Sequence, residues 1–253
     1  MMQAAYTAKM GIMAQQRRVD TIADNLANVG TGGFKSRRVN FKDVLYDQMV
    51  NPAEPNSGNN LQLGHGVAIS GVSRDFTLGV SENTGHYLDL YIDGKGFFMV
   101  DGPTEGAQYT RAGALAVSRE DTGNYLVTSN GYYLLDEEGN RIQMPRVLDD
   151  LKINHEGELS ITSQPPFAKL SLVSFYNIEG LSSIGEGLYE ETIASGGPIA
   201  TEAKILQGYL EGSNVAFGQE STQIIRAHRA FSLAGSALQA ADEMDAIANR
   251  MRT

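Results

Sequence analysis

A chain of 253 residues with 42% hydrophobic content is long enough to bury one large core or two ordinary ones. A formal net charge of −10, with Lys and Arg scattered except for the short run Lys35, Arg37 and Arg38, argues against binding along a phosphate backbone, and that run reads as a solvated loop face. Cysteine is absent, which excludes disulfide frameworks and thiolate metal sites.

Residues 1–29 read as a long helix. Ala5, Ile12, Val19 and Leu26 recur every seven residues, Ala8, Ile22 and Val29 adjoin them on the same face, and Gln15 is the one polar break. Gln3, Lys9, Gln15, Gln16, Arg17 and Arg18 interrupt this stretch, so a cleaved secretory signal is not expected. The helix should end near Val29, because Gly30, Gly32 and Gly33 supply the left-handed geometry that terminates helices. A short amphipathic piece follows, carrying Phe41, Val44, Leu45 and Met49. Residues 51–66 are rich in Asn, Pro, Gly and Ser without a period, and read as an extended connector.

From Val67 to Tyr209 the pattern is β. Leu88, Leu90 and Ile92 alternate, and Leu151 and Ile153 face Leu159 and Ile161 across a turn at Glu156 and Gly157. Further turns fall at Asp121 to Asn124, Ser129 to Gly131 and Glu137 to Asn140. Short strands and frequent turns predict an antiparallel sandwich or distorted barrel rather than a parallel sheet. Ser213 or Asn214 is a plausible N-cap for a last helix over 218–252, with Gly218 a soft point in its first turns. Its apolar stripe runs through Ile224, Ala227, Phe231, Ala234, Leu238, Ala241, Met244, Ala248 and Met251. An alanine-rich stripe propagates helix well but buries little area against one partner, so several neighbours suit it better. The fold class is therefore α+β. Residues 1–35 and 215–253 form a discontinuous, coiled-coil-like helical domain, 36–70 a connector, and 71–214 an inserted antiparallel β-rich domain. Periodicity alone does not separate a hairpin packed within its own chain from helices that meet other copies. No stretch approaches the roughly 20 apolar residues that span a bilayer.

The residues offer no catalytic constellation. His65, His86, His155 and His228 lie far apart, without the spacing of a metal-binding helix. Gly94 and Gly96 are followed by strand-like Phe97 to Val100 rather than a helix, so a tight turn explains them better than a dinucleotide site. The acidic runs Asp136 to Glu138 and Glu190 to Glu191 read as solvated turns. No enzyme activity, cofactor or metal is expected.

Five motifs carry a family resemblance. Asp24-Asn25-Leu26-Ala27-Asn28-Val29 followed by Gly33-Phe34-Lys35 is similar to the N-terminal signature of bacterial flagellar rod and hook proteins. The resemblance continues in Asp93-Gly94-Lys95-Gly96-Phe97-Phe98, Tyr109-Thr110-Arg111-Ala112-Gly113, Gly185-Glu186-Gly187-Leu188-Tyr189 and Gln207 to Val215. Asp24 stands where the family often has Asn, and Gly30 and Gly32 replace more usual polar residues of the turn. Chain length, the run 180–189 and the connector before Leu63 resemble the distal rod branch. A proximal rod subunit of similar length is the alternative.

The resemblance implies a structural subunit of a drive shaft that transmits torque from motor to hook. Copies would stack helically through their terminal helices, with the β domain outside. Ile12, Val19, Ile22, Asn25, Leu26, Asn28, Gly33, Phe34, Ile224, Phe231, Leu238, Met244 and Met251 would lie at the assembly interface, the Asn side chains bridging backbone groups and Phe34 anchoring the turn. The implied partners are other copies, proximal rod subunits, hook or hook-junction proteins, periplasmic and outer-membrane ring proteins, and the flagellar export apparatus. The implied location is the periplasm-spanning rod of the basal body, reached without a cleaved signal. Neither nucleic acid nor a membrane span is implied. Two readings from other classes remain beside it: a hydrolase on the β domain, which needs a convergent polar pocket, and a glycan-binding sandwich on a helical stalk, which needs aromatics clustered on one face.

Overall fold

A computed structural model describes residues 2–49, 61–104, 106–121, 123–145, 151–161 and 165–252. Two long helices flank a large antiparallel β region, an α+β architecture. The chain divides into two compact units: a helical unit of Met1–Ala27, Arg37–Asp75 and Ala216–Thr253, and a β unit of Asn28–Ser36 and Phe76–Val215.

In the helical unit, α1 (Met2–Ala27) and α2 (Phe217–Arg252) are 26 and 36 residues long. The short amphipathic piece is β. β1 (Arg37–Asp43) pairs antiparallel with β4 (Val67–Arg74), with a bulge between Asn40 and Phe41, and β2 (Tyr46–Met49) pairs with β3 (Leu61–Gly64). Phe41 and Ile69 are partners across this ribbon, an aromatic and a β-branched side chain paired on a two-stranded ladder. Residues 51–60 of the expected connector lie outside the described residues, and 61–64 are strand. The ribbon packs along α1, where Val39 and Ala14 are buried.

The sequence predicts Ser213 or Asn214 as the N-cap of α2, and neither stands there. The helix starts at Phe217, with Glu220 N–H donating to the Ala216 carbonyl. Asn214 is used within the β unit instead: its Oδ1 accepts from Ser36 N–H and its Nδ2 donates to the Thr77 carbonyl.

The β unit is antiparallel throughout its described pairings. Its ten-stranded sheet is organised on the strand Phe97–Asp101, which pairs with Ala107–Thr110, Tyr133–Leu134 and Leu172–Phe175. The predicted facing of Leu151 and Ile153 with Ile161 and Leu159 is present, with Gly157 at φ +85° in the turn. Leu90, Ile92, Phe98, Val100, Leu126, Leu134, Leu159 and Ile205 make the heart of a contiguous apolar core.

A second cluster stacks Phe97, Tyr109, Phe175 and Tyr189 edge to face, Tyr109 and Phe175 with centroids 4.7 Å apart. Burial pushes the Tyr109 phenol up to about 12, and the Glu191 carboxylate adds to the shift by its charge and a hydrogen bond. An unfolded phenol ionises near pH 10, so the stabilisation held by the protonated folded form is complete below about pH 10 and lost as pH rises towards 12. Tyr109→Phe is expected to move the alkaline unfolding midpoint of the β unit upward, measured by circular dichroism. An unchanged midpoint would exclude Tyr109 as the group that titrates.

Candidate functional site

Within the helical unit, α1 and α2 lie antiparallel. Asn25 Nδ2 is 3.4 Å from Glu220 Oε2, and a Cβ built on Gly11 would sit 4.0 Å from that of Ala234. Fourteen residues separate Gly11 from Asn25 and Glu220 from Ala234, so one register holds over two heptads. Small residues make the approach possible: Ala227 and Ala241 are buried, and Ala234 faces Gly11.

Among the expected interface residues, Ile22 and Asn25 are buried, while Ile12, Val19, Leu26, Ile224, Phe231 and Leu238 are half-buried. The stripe facing α1 continues past Ala241 through Asp245 and Ala248. Met244 and Met251, which the spacing assigned to that stripe, are 53% and 79% exposed. The step from Ala241 to Met244 repeats a spacing of three, which rotates Met244, and Met251 one heptad on, off the face. Both methionines instead join Ile225, Leu233 and Ile247 in a second, exposed apolar stripe on the other side of α2.

Asn25 bridges backbone. Its Nδ2 donates to the Arg37 carbonyl at 2.9 Å and its Oδ1 accepts from Arg37 N–H at 2.8 Å, closing a two-bond lock between the end of α1 and the start of β1. Arg37 also pairs with Asp24 at 3.1 Å.

In the β unit, Asn28 Oδ1 accepts from the Thr31 hydroxyl, and Thr31 N–H donates to the Asn28 carbonyl, which turns the chain. Gly33 follows at φ +69°, its N–H donating to the Glu211 carbonyl at 2.7 Å; a Cβ there would meet the Arg111 carbonyl at 3.1 Å. Phe34 is half-buried, and its carbonyl accepts from Asn214 N–H.

Lys35, expected on a solvated face, is 1% exposed. Its ammonium donates to Glu211 Oε1 at 2.6 Å and to the Thr77 carbonyl at 2.7 Å. Gly79 N–H also donates to Glu211 Oε1, and Arg111 Nε stands 3.4 Å from Oε2 without hydrogen-bond alignment, so that contact is coulombic. Arg111 Nη2 donates to the Gly94 carbonyl, and the guanidinium lies 5.5 Å from the Phe97 ring centroid. Burial lowers the Arg111 pKa, while Glu211 opposes the shift. Two cations thus share one carboxylate in a buried site, where the Thr77 and Gly94 carbonyls and the Phe97 face take further donors and Arg111 Nε has no aligned acceptor.

The cluster gathers residues from separate motifs: Lys35 from Gly-Phe-Lys, Gly94 and Phe97 from the Asp-Gly-Lys-Gly-Phe-Phe run, Arg111 from Tyr-Thr-Arg-Ala-Gly, and Glu211 from the last. The remaining motif, Gly185 to Tyr189, adjoins it, with the Tyr189 ring centroid 5.6 Å from that of Phe97 and the Gly187 carbonyl accepting from Thr110. Sequence reasoning found the motifs but missed that their charges meet. The available signal was a charged residue lodged beside glycine and aromatic residues in each.

Three family descriptions match the chain: Flagella basal body rod protein over residues 6–35, Flagellar hook protein FlgE/F/G D1 domain over 91–161, and Flagellar basal body rod FlgEFG protein C-terminal over 206–251. The chain is 36% identical to the flagellar basal-body rod protein FlgG of Borreliella burgdorferi, covering all of this chain and 99% of that one. It is 32% identical to FlgG of Bacillus subtilis over 96% and 97% of the two chains, and 32% identical to the rod protein FlgF of Caulobacter vibrioides over 90% and 89%.

Proposed function

From the premise that this chain belongs to the flagellar basal-body rod protein family and is a structural, non-enzymatic subunit of the rod, we infer that it builds the distal part of that shaft. Copies polymerise helically through α1 and α2, which pack as a coiled-coil-like inner layer. Full-length similarity to FlgG proteins favours the distal reading; the FlgF relative is the observation that keeps the proximal one in view. On this reading Ile12, Val19, Ile22, Asn25, Leu26, Asn28, Gly33, Phe34, Ile224, Phe231, Leu238, Met244 and Met251 lie at or beside contacts between copies. Proximal rod subunits and hook-side proteins meet the ends of the shaft, and ring proteins surround it in the periplasm.

The observation that carries the reading is the exposed apolar stripe of α2. Ile225, Leu233, Met244, Ile247 and Met251 are each more than half exposed, although α2 already has α1 as a partner. The described core of the helical unit is small, holding only Ala14, Ile22, Val39, Ala227 and Ala241 as buried apolar residues. Helices of this length gain most of their stability from packing, and so thin a core leaves much of the ordering entropy for neighbours to offset.

Peptide-resolved hydrogen exchange tests this. In dilute protein, residues 4–27 and 217–252 are expected to exchange fast beside a protected β unit, and to become protected in assembled rods. Equal protection of helices and sheet in a proven monomer would overturn the reading.

A further inference from the structure

We infer that Glu186 is a latch: its carboxylate, held by the Tyr132 hydroxyl, fastens the edge hairpin over residues 182–190 to the turn over 128–132 and keeps that hairpin closed. The inference belongs to the β unit and does not depend on how copies assemble.

The strand Ser182–Gly185 stands at one end of the ten-stranded sheet and pairs only with Leu188–Glu190 among the described strands. Its ladder is irregular. Ser183 faces Tyr189 and Gly185 faces Leu188, so Ile184 bulges between them and is 40% exposed. The connecting residues Glu186 and Gly187 have φ +51° and +75°, the pattern of a primed two-residue hairpin turn whose usual first residue is Asn, Asp or Gly. Glu186 is the one non-glycine residue at positive φ among the described residues. A glutamate there is strained, and such strain persists only where other contacts hold it.

Those contacts come from the neighbouring turn. Tyr132 Oη donates to Glu186 Oε2 at 2.7 Å, and Asn130 Nδ2 donates to the Glu186 carbonyl at 3.2 Å. The receiving turn is itself closed, with Gly131 N–H donating to the Thr128 carbonyl at 2.9 Å and Thr128 N–H to that of Tyr132 at 2.8 Å. The bonds from Asn130 to the Glu186 carbonyl and from Thr110 to the Gly187 carbonyl use backbone that any residue would supply. Only the Tyr132 bond requires the glutamate side chain. Asparagine would relax the turn, yet it is one methylene too short to reach Tyr132. The same bond holds the Tyr132 phenol above its ordinary pKa, with burial and the Glu186 charge adding to the shift.

The test compares the full-length chain with Glu186→Asn, Glu186→Gln and Tyr132→Phe. Hydrogen exchange of peptides within 182–190, thermal melting and the tyrosine ζ-carbon resonances are followed. Glu186→Asn is expected to melt no lower than wild type, because the turn relaxes, while the hairpin exchanges faster by on the order of tenfold and the Tyr132 phenol returns towards its ordinary pKa. Tyr132→Phe is expected to speed the same peptides to the same degree without touching the turn. Glu186→Gln keeps both reach and acceptor, and its hairpin should exchange within about threefold of wild type. If turn strain alone governs the hairpin, Glu186→Asn slows its exchange and Tyr132→Phe leaves it unchanged. Either result overturns the latch, as does a Tyr132 pKa that stays at its wild-type value in Glu186→Asn.

Discussion

Glu211→Ala is expected to lower the melting temperature of the β unit by about 10 °C. Lys35 and Glu211 are 0% and 2% exposed at their side chains, and Arg111 is 3% exposed. Removing the carboxylate leaves two cations in a buried site with carbonyls and one aromatic face for company. Breaking a buried pair by deleting one partner costs about 3–5 kcal/mol. For a unit of this size each kcal/mol is worth roughly 2–4 °C. Lys35→Met should cost less, because Glu211 keeps Gly79 N–H and Arg111. The double variant Lys35→Met with Glu211→Ala should recover part of the loss, since Arg111 alone still has the Gly94 carbonyl and the Phe97 ring. A shift of less than about 2 °C for Glu211→Ala would mean that water or a rearranged partner satisfies the cations, and that the cluster is not a structural clamp.

The consequence reaches beyond stability. The cluster ties residues 33–35 to Glu211, and Ser36 N–H donates to Asn214 Oδ1 at 2.7 Å. Ser36 is the last residue of the β unit before β1, and Asn214 stands one residue before its end ahead of α2. A buried ion cluster is directional in a way that apolar packing is not, so it fixes these exits in one arrangement.

Much of this was legible in the sequence, for physical reasons that differ by element. The two helices announced themselves through a heptad period sustained over several turns, and the hairpin at Leu151 to Ile161 through alternation around a glycine turn. β1 did not, because Val39 and Phe41 are its apolar side chains and a bulge between Asn40 and Phe41 breaks the alternation, whereas its partner β4 falls within the β pattern read from Val67. Lys35 was misread because a lone lysine in a glycine-rich loop is ordinarily solvated; its carboxylate partner lies 176 residues away, and no local pattern reports such a pairing. The outer stripe of α2 was hidden by its own periodicity. Met244 and Met251 satisfy a spacing of three and four from Ala248, yet rotate onto the face that Leu233 and Ile247 occupy.

That stripe carries the second large expected effect. Leu233→Asp should leave monomer melting within about 0.5 kcal/mol of wild type, because Leu233 is 72% exposed and its loss opens no cavity. In a rod whose copies cover this stripe, the substitution forfeits roughly 1.5–3 kcal/mol of apolar burial and adds the desolvation of an unpaired carboxylate. Together these should raise the critical concentration for polymerisation by about a hundredfold or more. Ala227→Asp makes the instructive contrast, since Ala227 is fully buried on the face towards α1 and its substitution should unfold the helical unit of the monomer itself. On the proposed reading one face of α2 packs on α1 within the chain and the other on neighbouring copies, and the two variants separate these roles by sedimentation and circular dichroism. A critical concentration for Leu233→Asp within about twofold of wild type would leave the outer stripe solvated in the rod and move the contacts between copies elsewhere.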